Sequence, residues 1–407
     1  MRKSLLSLAA ITALSLPLVP LAIDSATKAA ESSDRADGDT VLAAAQAKLA
    51  WALIETLASR GGGTDAVVSP ASLASAFGII SLGADSEMRT AIANTLGFGP
   101  GRVAESLEAL SAARAKLSNA GDAFQSANRI VFAPATPPNQ ILRAGLENLG
   151  IDYSVDDLAN PETAAKIDAW VKEVTHGAIP EILGGPIEKA AFVALNALHF
   201  KGRWQTQFDP RLTANAPFTG VDGKSGNVVM MRLALEKHLF RREGNFVAVD
   251  LPFSTDRFSL VLVTTSDKPA PAKEFAKIAG WLSGAGFTGR SGRLALPRFS
   301  VSGREDLMPT LDALGLDEAR HSKTALQGLA PGAMLSQVIQ RAVVDVDEEG
   351  AEAAAATAIV GTRSIVVGED IIDMVVDKPF VFALRDSVTG LILVAGYIGH
   401  PPKAKAA

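Results

Sequence analysis

Residues Ala191 to Phe200 form a near-continuous apolar run, too uniform for a strand or helix with one wet face. The run reads as a strand buried on both faces, which requires structure above and below it. The elements that could supply those layers follow a clear order. Helical spacing comes first, over Thr40–Ala58, with Val41, Leu42, Ala45, Leu49, Ala52, Leu53 and Leu57 on one stripe. A short buried strand follows at Val67 to Pro70. There Ser69 is placed to cap the next helix, with Pro70 at its first position. That helix, Ala71–Leu82, is apolar nearly all round and belongs in a core. Asp85–Leu96, Arg102–Ser118, Asn139–Leu149 and Thr163–Thr175 also read as helices, and Phe124–Phe132 alternates as a strand. From Arg211 to Leu316 the pattern changes to short strands, with turn signals at Asp222-Gly223, Glu243-Gly244 and Ser266-Asp267 and one helix at Ala272–Leu282. Leu335–Asp347, Ile371–Val376, Phe380–Arg385 and Leu391–Ile398 complete the strands. Helices first and strands later give an α+β class in one domain.

The 407 residues suffice for one large core, and 48% hydrophobic with 20% charged residues is the balance of a globular chain. A net charge of −5 implies no nucleic-acid or anionic-membrane partner. With no cysteine there are no disulfides, thiolate metal sites or thiol catalysis. Arg2 and Lys3 precede an apolar run from Leu5 to Leu21, and small residues follow to Ala30. That order is a secretory signal peptide and its cleavage zone over 1–30, so a secreted protein, extracellular or periplasmic, is expected. Residues 31–39 read as a flexible lead-in, 40–402 as the single domain and 403–407 as a tail.

A second stretch, Asp347 to Thr362, does not choose its own structure. An acidic cluster and Gly350 open it, and a run of small side chains follows, broken by Glu352. The alanines favour helix, whereas Thr357, Ile359, Val360 and Thr362 favour extended chain. With period 2, Ala351, Ala353, Ala355, Thr357 and Ile359 share one side; Glu352, Ala354, Ala356, Ala358 and Val360 share the other. An alanine-rich linker and a strand shaped for a tight sheet slot both fit.

Four separated patterns, in order, resemble the serpin family. They are Ser69-Pro70-Ala71-Ser72-Leu73 continuing to Ser81-Leu82-Gly83-Ala84; Val193 to Trp204 with Phe208; Asp347-Glu348-Glu349-Gly350 with the alanine run; and Asp377-Lys378-Pro379-Phe380-Val381-Phe382 followed by Thr389 to Gly396. The resemblance covers Thr40 to Pro402. It implies three β-sheets, eight or nine helices and an exposed reactive-centre loop at about 348–370. It further implies an inhibitor that needs no catalytic residue, metal or cofactor of its own. A secreted serine protease, trypsin-like, subtilisin-like or elastase-like, would cut the loop and be trapped as the loop enters the main sheet. Some cysteine proteases fall within the same expectation, and the inhibitor itself would be a monomer. Carried over by position, the loop hinge is Glu348, Gly350, Ala351, Glu352, Ala353, Ala354, Ala355, Ala356 and Thr357. Ala351 stands where many inhibitory relatives have threonine. Family spacing from Gly350 puts the reactive bond after Ser364, before Ile365; a loop one residue shorter puts it after Arg363. A sheet-opening cluster maps to Ser69, Ser72, Asn196 and Gln340, with Gln340 replacing the usual histidine. Trp204 is a structural anchor.

Other signals carry less. Gly284, Gly286 and Gly289 fit G-x-G-x-x-G but follow a helix and precede a strand, the wrong order for dinucleotide binding. Asp345 to Ala356 brushes a calcium loop but lacks its twelfth-position glutamate. The five histidines are scattered and no G-x-S-x-G occurs, which speaks against a hydrolase. A non-inhibitory serpin, acting as a binding or chaperone module, is the alternative; the small, uncharged inward face of the loop argues against it.

Overall fold

The computed structural model describes residues 23–403 apart from 61–64, 98–123, 149–150, 189, 201, 256, 323, 330–332, 336 and 352–370. The chain divides after Gly38, and Asp39–Ala407 is one compact unit. In chain order the helices are α1 (Ile23–Arg60), α2 (Pro70–Leu82), α3 (Ser86–Thr95), α4 (Gln140–Asn148), α5 (Pro161–Val174), α6 (Met308–Leu311) and α7 (Asp317–His321). The strands are β1 (Ala66–Val68), β2 (Phe124–Phe132), β3 (Asp152–Val155), β4 (Phe192–Phe200), β5 (Gly202–Arg203), β6 (Ala214–Thr219), β7 (Ser225–Glu243) and β8 (Phe246–Pro252). They continue with β9 (Phe258–Thr265), β10 (Thr288–Pro297), β11 (Phe299–Asp306), β12 (Gln337–Val346), β13 (Gly350–Ala351), β14 (Ile372–Val375), β15 (Phe380–Asp386) and β16 (Ile392–Ile398).

Three hydrogen-bonded sheets result. Nine strands form the largest, in the order β1-β16-β15-β9-β8-β7-β10-β14 with β6 beside β7. Five form the second, β11-β12-β4-β2-β3, and β13 pairs with β5 in the third. The apolar run of residues 191–200 becomes β4, the middle strand of five. Its two faces meet different cores. Val193, Leu195 and Ala197 pack under α5 and the segment after it, against Ala164, Ile167, Val171, Ile179 and Ile182. Phe192, on the other face, joins the core that holds α2. α2 itself packs against β4 and β16, so it lies between the two larger sheets. Ser69 caps α2 and Pro70 begins it, as the sequence predicts.

A separate core joins the sheets above α2. There Phe299, Val344 and Val346 meet Phe380, Phe382 and Leu262. Phe380 is fully buried, with its ring edge-on to Phe218 and Phe299.

Several elements differ from the sequence reading. The first helix is continuous back to Ile23, through the 31–39 stretch expected as a lead-in. β7 runs for 19 residues where shorter strands were expected; its turn residues lie only at its ends, and a register shift against β10 near Leu235–His238 bends the ladder without ending the strand. The helical turns from Met308 to His321 were not foreseen, because an isolated turn has no periodicity; the Asp306 carboxylate capping the Met308 N–H marks their start. Ala272–Ser283 is a 3-10 helix. The glycines of G-x-G-x-x-G end that helix and enter β10: Gly284 is its left-handed cap. The expected helix at 102–118 lies outside the described residues.

Removing the Phe380 ring empties the junction between the two sheets. Phe380→Ala is expected to cost about 3–5 kcal/mol, read as a lowered guanidinium unfolding midpoint with the fold retained.

Candidate functional site

The five-stranded sheet mixes directions: two of its pairs are parallel, β2 with β3 at one edge and β12 with β4 at its centre. β11 and β12 are antiparallel, as are β4 and β2, but β12 and β4 run parallel. Their seam is closed from Gln337 beside Val193 to Val343 beside His199. Beyond that point the strands fork. β12 continues to Val346 beside β11, while β4 ends at Phe200.

The mouth of the fork is a tight turn. The Asp347 N–H donates to the Gly350 carbonyl (2.9 Å), and the Asp347 carboxylate accepts from the N–H groups of Glu349 and Gly350 (2.9 and 3.1 Å). Gly350 has φ 153°, and a Cβ there would run into the Gly202 carbonyl, so only glycine fits. β13 pairs with β5, Gly350 beside Arg203 and Ala351 beside Gly202.

Trp204 holds this turn in place. Its indole N–H donates to the Asp347 carbonyl, and its backbone N–H to the Glu349 carbonyl, both at 2.9 Å. Phe253 stacks on the indole with ring centroids 4.6 Å apart. The Phe208 N–H donates to the Glu348 carbonyl at 3.0 Å. Sequence reading gave Trp204 an anchoring role but could not see that the anchored segment is the hinge, 143 residues away.

The Glu348 side chain is buried. It accepts two hydrogen bonds from the Arg298 guanidinium, both 2.7 Å, and one from the Thr213 hydroxyl at 2.6 Å. Burial pushes its carboxyl up, but Arg298 and Thr213 outweigh that and hold it below the usual carboxylate range. Nothing in the sequence pairs Arg298 and Thr213 with Glu348; their only signal is position, just before β11 and just before β6.

Beneath the seam, the expected opening cluster is partly assembled. The Ser69 N–H donates to Gln340 Oε1 (2.7 Å), and Gln340 Nε2 donates back to the Ser69 carbonyl (3.0 Å). Ser69 Oγ donates to Ser72 Oγ at 2.7 Å. Glutamine thus clamps β12 to the start of α2 through both ends of its amide, with no titrating group. Asn196 lies level with Gln340 across the seam, yet its Nδ2 donates to Asn128 Oδ1 on β2 (2.7 Å). Its own Oδ1 is buried with no hydrogen-bond partner. Asn128 was not foreseen, since the register that brings β2 to β4 is not written in either strand.

Over the outer side of the seam runs the segment after α5. Asp168 accepts from the N–H groups of Ile182, Leu183 and Gly184. Arg304 on β11 donates to the Ile182 and Leu183 carbonyls, and Arg341 on β12 to the Glu181 carbonyl. The reactive-bond candidates Arg363, Ser364 and Ile365, and the hinge residues Glu352, Ala353, Ala354, Ala355, Ala356 and Thr357, lie outside the described residues. No group of three or more metal-ligating side chains occurs among the described residues.

The sequence matches the family profile described as "Serpin (serine protease inhibitor)" over residues 44–401. It is 31% identical to the leukocyte elastase inhibitor of Bos taurus over 383 residues, covering 88% of this chain and 99% of that one. Its backbone is similar to that of Serpin48 of the insect Tenebrio molitor (TM-score 0.76, 23% identity, 88% and 97% covered). It is equally similar to that of human thyroxine-binding globulin (TM-score 0.76, 22% identity, 90% and 100% covered).

The folded chain depresses the Glu348 carboxyl below its ordinary value of 4.5, so this contact stabilises the fold fully above that pH and is lost as the pH falls through the depressed value. Glu348→Gln is expected to cost about 1–2 kcal/mol at pH 7, allowing for the partial exposure of Arg298. Melting temperatures of the two proteins should converge as the pH is lowered from 5 toward 3.

Proposed function

The chain belongs to the serpin family, and from that premise we propose that it inhibits secreted serine proteases by suicide cleavage and loop insertion. The supporting observation is the parallel β12–β4 pair. A strand entering there from the Gly350 turn would run antiparallel to both neighbours, converting a weaker parallel pair into two antiparallel ones. About ten inserted residues, at ~0.5–1.5 kcal/mol net per hydrogen bond, would release on the order of 10 kcal/mol. The small inward series Ala351, Ala353, Ala355, Thr357 suits a slot between packed strands.

In this reading the protease serine attacks the carbonyl carbon at the reactive bond, forms an ester and releases the new amine on the C-terminal side. The freed loop then inserts and carries the ester-linked protease with it. Deforming the oxyanion hole would remove ~3–4 kcal/mol of transition-state stabilisation from deacylation, and loss of catalytic alignment would slow it further. Arg363 suits a trypsin-like pocket with an aspartate at its base; Ser364 suits elastase-like or subtilisin-like enzymes. Export is part of the proposal, supported by Arg2, Lys3 and the apolar run to Leu21. A non-inhibitory role as a binding module is the competing reading, and thyroxine-binding globulin shows that this backbone also occurs in a protein that carries a small ligand.

Incubation with trypsin-like, elastase-like and subtilisin-like proteases should give an SDS-stable adduct, and the mass of the released C-terminal peptide should begin at Ser364 or Ile365. Ala351→Arg is expected to abolish the adduct while leaving the loop cleavable. Clean cleavage by every protease, with no adduct, would favour the binding-module reading.

A further inference from the structure

The segment after α5 crosses the β12–β4 seam and is fastened differently on its two sides. Toward α5 it is built in. The Asp168 carboxylate accepts from three successive N–H groups, those of Ile182, Leu183 and Gly184, and the Ile179 N–H donates to the Thr175 hydroxyl. Ile179 and Ile182 are fully buried and share a core with Ala164, Ile167 and Val171 of α5. β12 gives that core Ile339 and the partly buried Val343. Toward β11 and β12 the polar fastening is two side chains. Arg304 donates to the Ile182 carbonyl (2.7 Å) and to the Leu183 carbonyl, and Arg341 donates to the Glu181 carbonyl (2.8 Å).

Two arginines make a poor permanent joint here. Arg304 and Arg341 stand directly opposite each other on β11 and β12, a placement in which like charges repel. Their hydrogen bonds to the segment go to neutral carbonyls, and the Glu181 carboxylate is 56% exposed and 3.7 Å from Arg341. Arg341 Nε is buried with no hydrogen-bond partner. The closed position thus leaves unsatisfied a donor that water would satisfy on release. The ends of the segment are shaped to pivot. His176 and Gly177 have φ of 50° and 85°, and Gly184 has φ of 66°. The space around both glycines is open, so a change of direction there meets no neighbour.

We propose that residues 177–184 form a strap that stays on α5 and lets go of β11 and β12, with Arg304 and Arg341 as the positioning residues whose release allows the seam to part. The joint opens locally, because it breaks side-chain bonds to carbonyls and leaves the contacts with α5 intact. Use of the opening by an incoming strand rests on the loop-insertion reading above; the strap itself is a property of the uncut protein.

The test is amide hydrogen exchange of the uncut protein, read by mass in peptides covering β12 and, as a reference, β8 and β9. Arg304→Met and Arg341→Met should each speed exchange in β12 about tenfold, the equivalent of one charge-assisted hydrogen bond, and leave the reference strands unchanged. Arg304→Lys keeps a donor and should restore most of the parent rate. Unchanged exchange of β12 in both methionine variants would overturn the strap. Equal acceleration in the reference strands would overturn it too, because that is a general loss of stability. The parent and the variants are then nicked in the loop and their guanidinium unfolding midpoints measured. A gain on nicking is expected in each. Accelerated β12 exchange without that gain would overturn loop insertion and leave the strap standing.

Discussion

The five-stranded sheet depends on two parallel strands that touch without being joined in sequence. β4 and β12 share a full ladder over seven residue pairs, yet the chain leaving β12 turns back toward the gap between them. Parallel ladders are somewhat weaker per residue than antiparallel ones. Under the proposed function the native sheet is complete but improvable, and the improving strand would come from the same chain. What keeps the seam closed is distributed over three places: the Gln340–Ser69 clamp below, the segment after α5 pinned by Arg304 and Arg341 above, and the Trp204–Asp347 contact with the Glu348–Arg298 pair at the fork. Each is modest, as the proposed loop insertion would require of a seam that holds and then gives way.

The clamp deserves comparison with what the sequence implied. Gln340 occupies the position where the family has histidine, and glutamine keeps the hydrogen bonds while discarding the proton equilibrium. In the structure both ends of the amide are used on one residue, Ser69. At the hinge, the contact of Glu348 with Arg298 responds to acid rather than to the range around neutrality.

Legibility followed the range of the interactions. Strands buried on two faces, the capped α2 helix and the order of helices before strands could be read from local pattern, because burial and capping leave their mark within a few residues. Ser69, Ser72 and Gln340 were placed together by resemblance, and Gly350 by its residue type. Asn128, Arg298 and Thr213 could not be read. Each meets its partner across at least 50 residues of chain, in registers set by the whole sheet, and a lone arginine before a strand resembles any surface arginine. The length of β7 was missed for a related reason: its ladder with β10 shifts register between the Arg290–His238 and Gly292–Leu235 pairs, and only the partner strand carries the chain across that irregularity.

Trp204 brings an unplanned convenience. Its indole is stacked on Phe253, buried to 3%, and hydrogen-bonded to the carbonyl that begins the hinge. Departure of that carbonyl would strip the ring of its acceptor and alter the polarity around it. The molecule thus carries a native fluorophore at the fork itself, so entry of a strand into the sheet, as proposed, would be accompanied by an optical signal that requires no added dye.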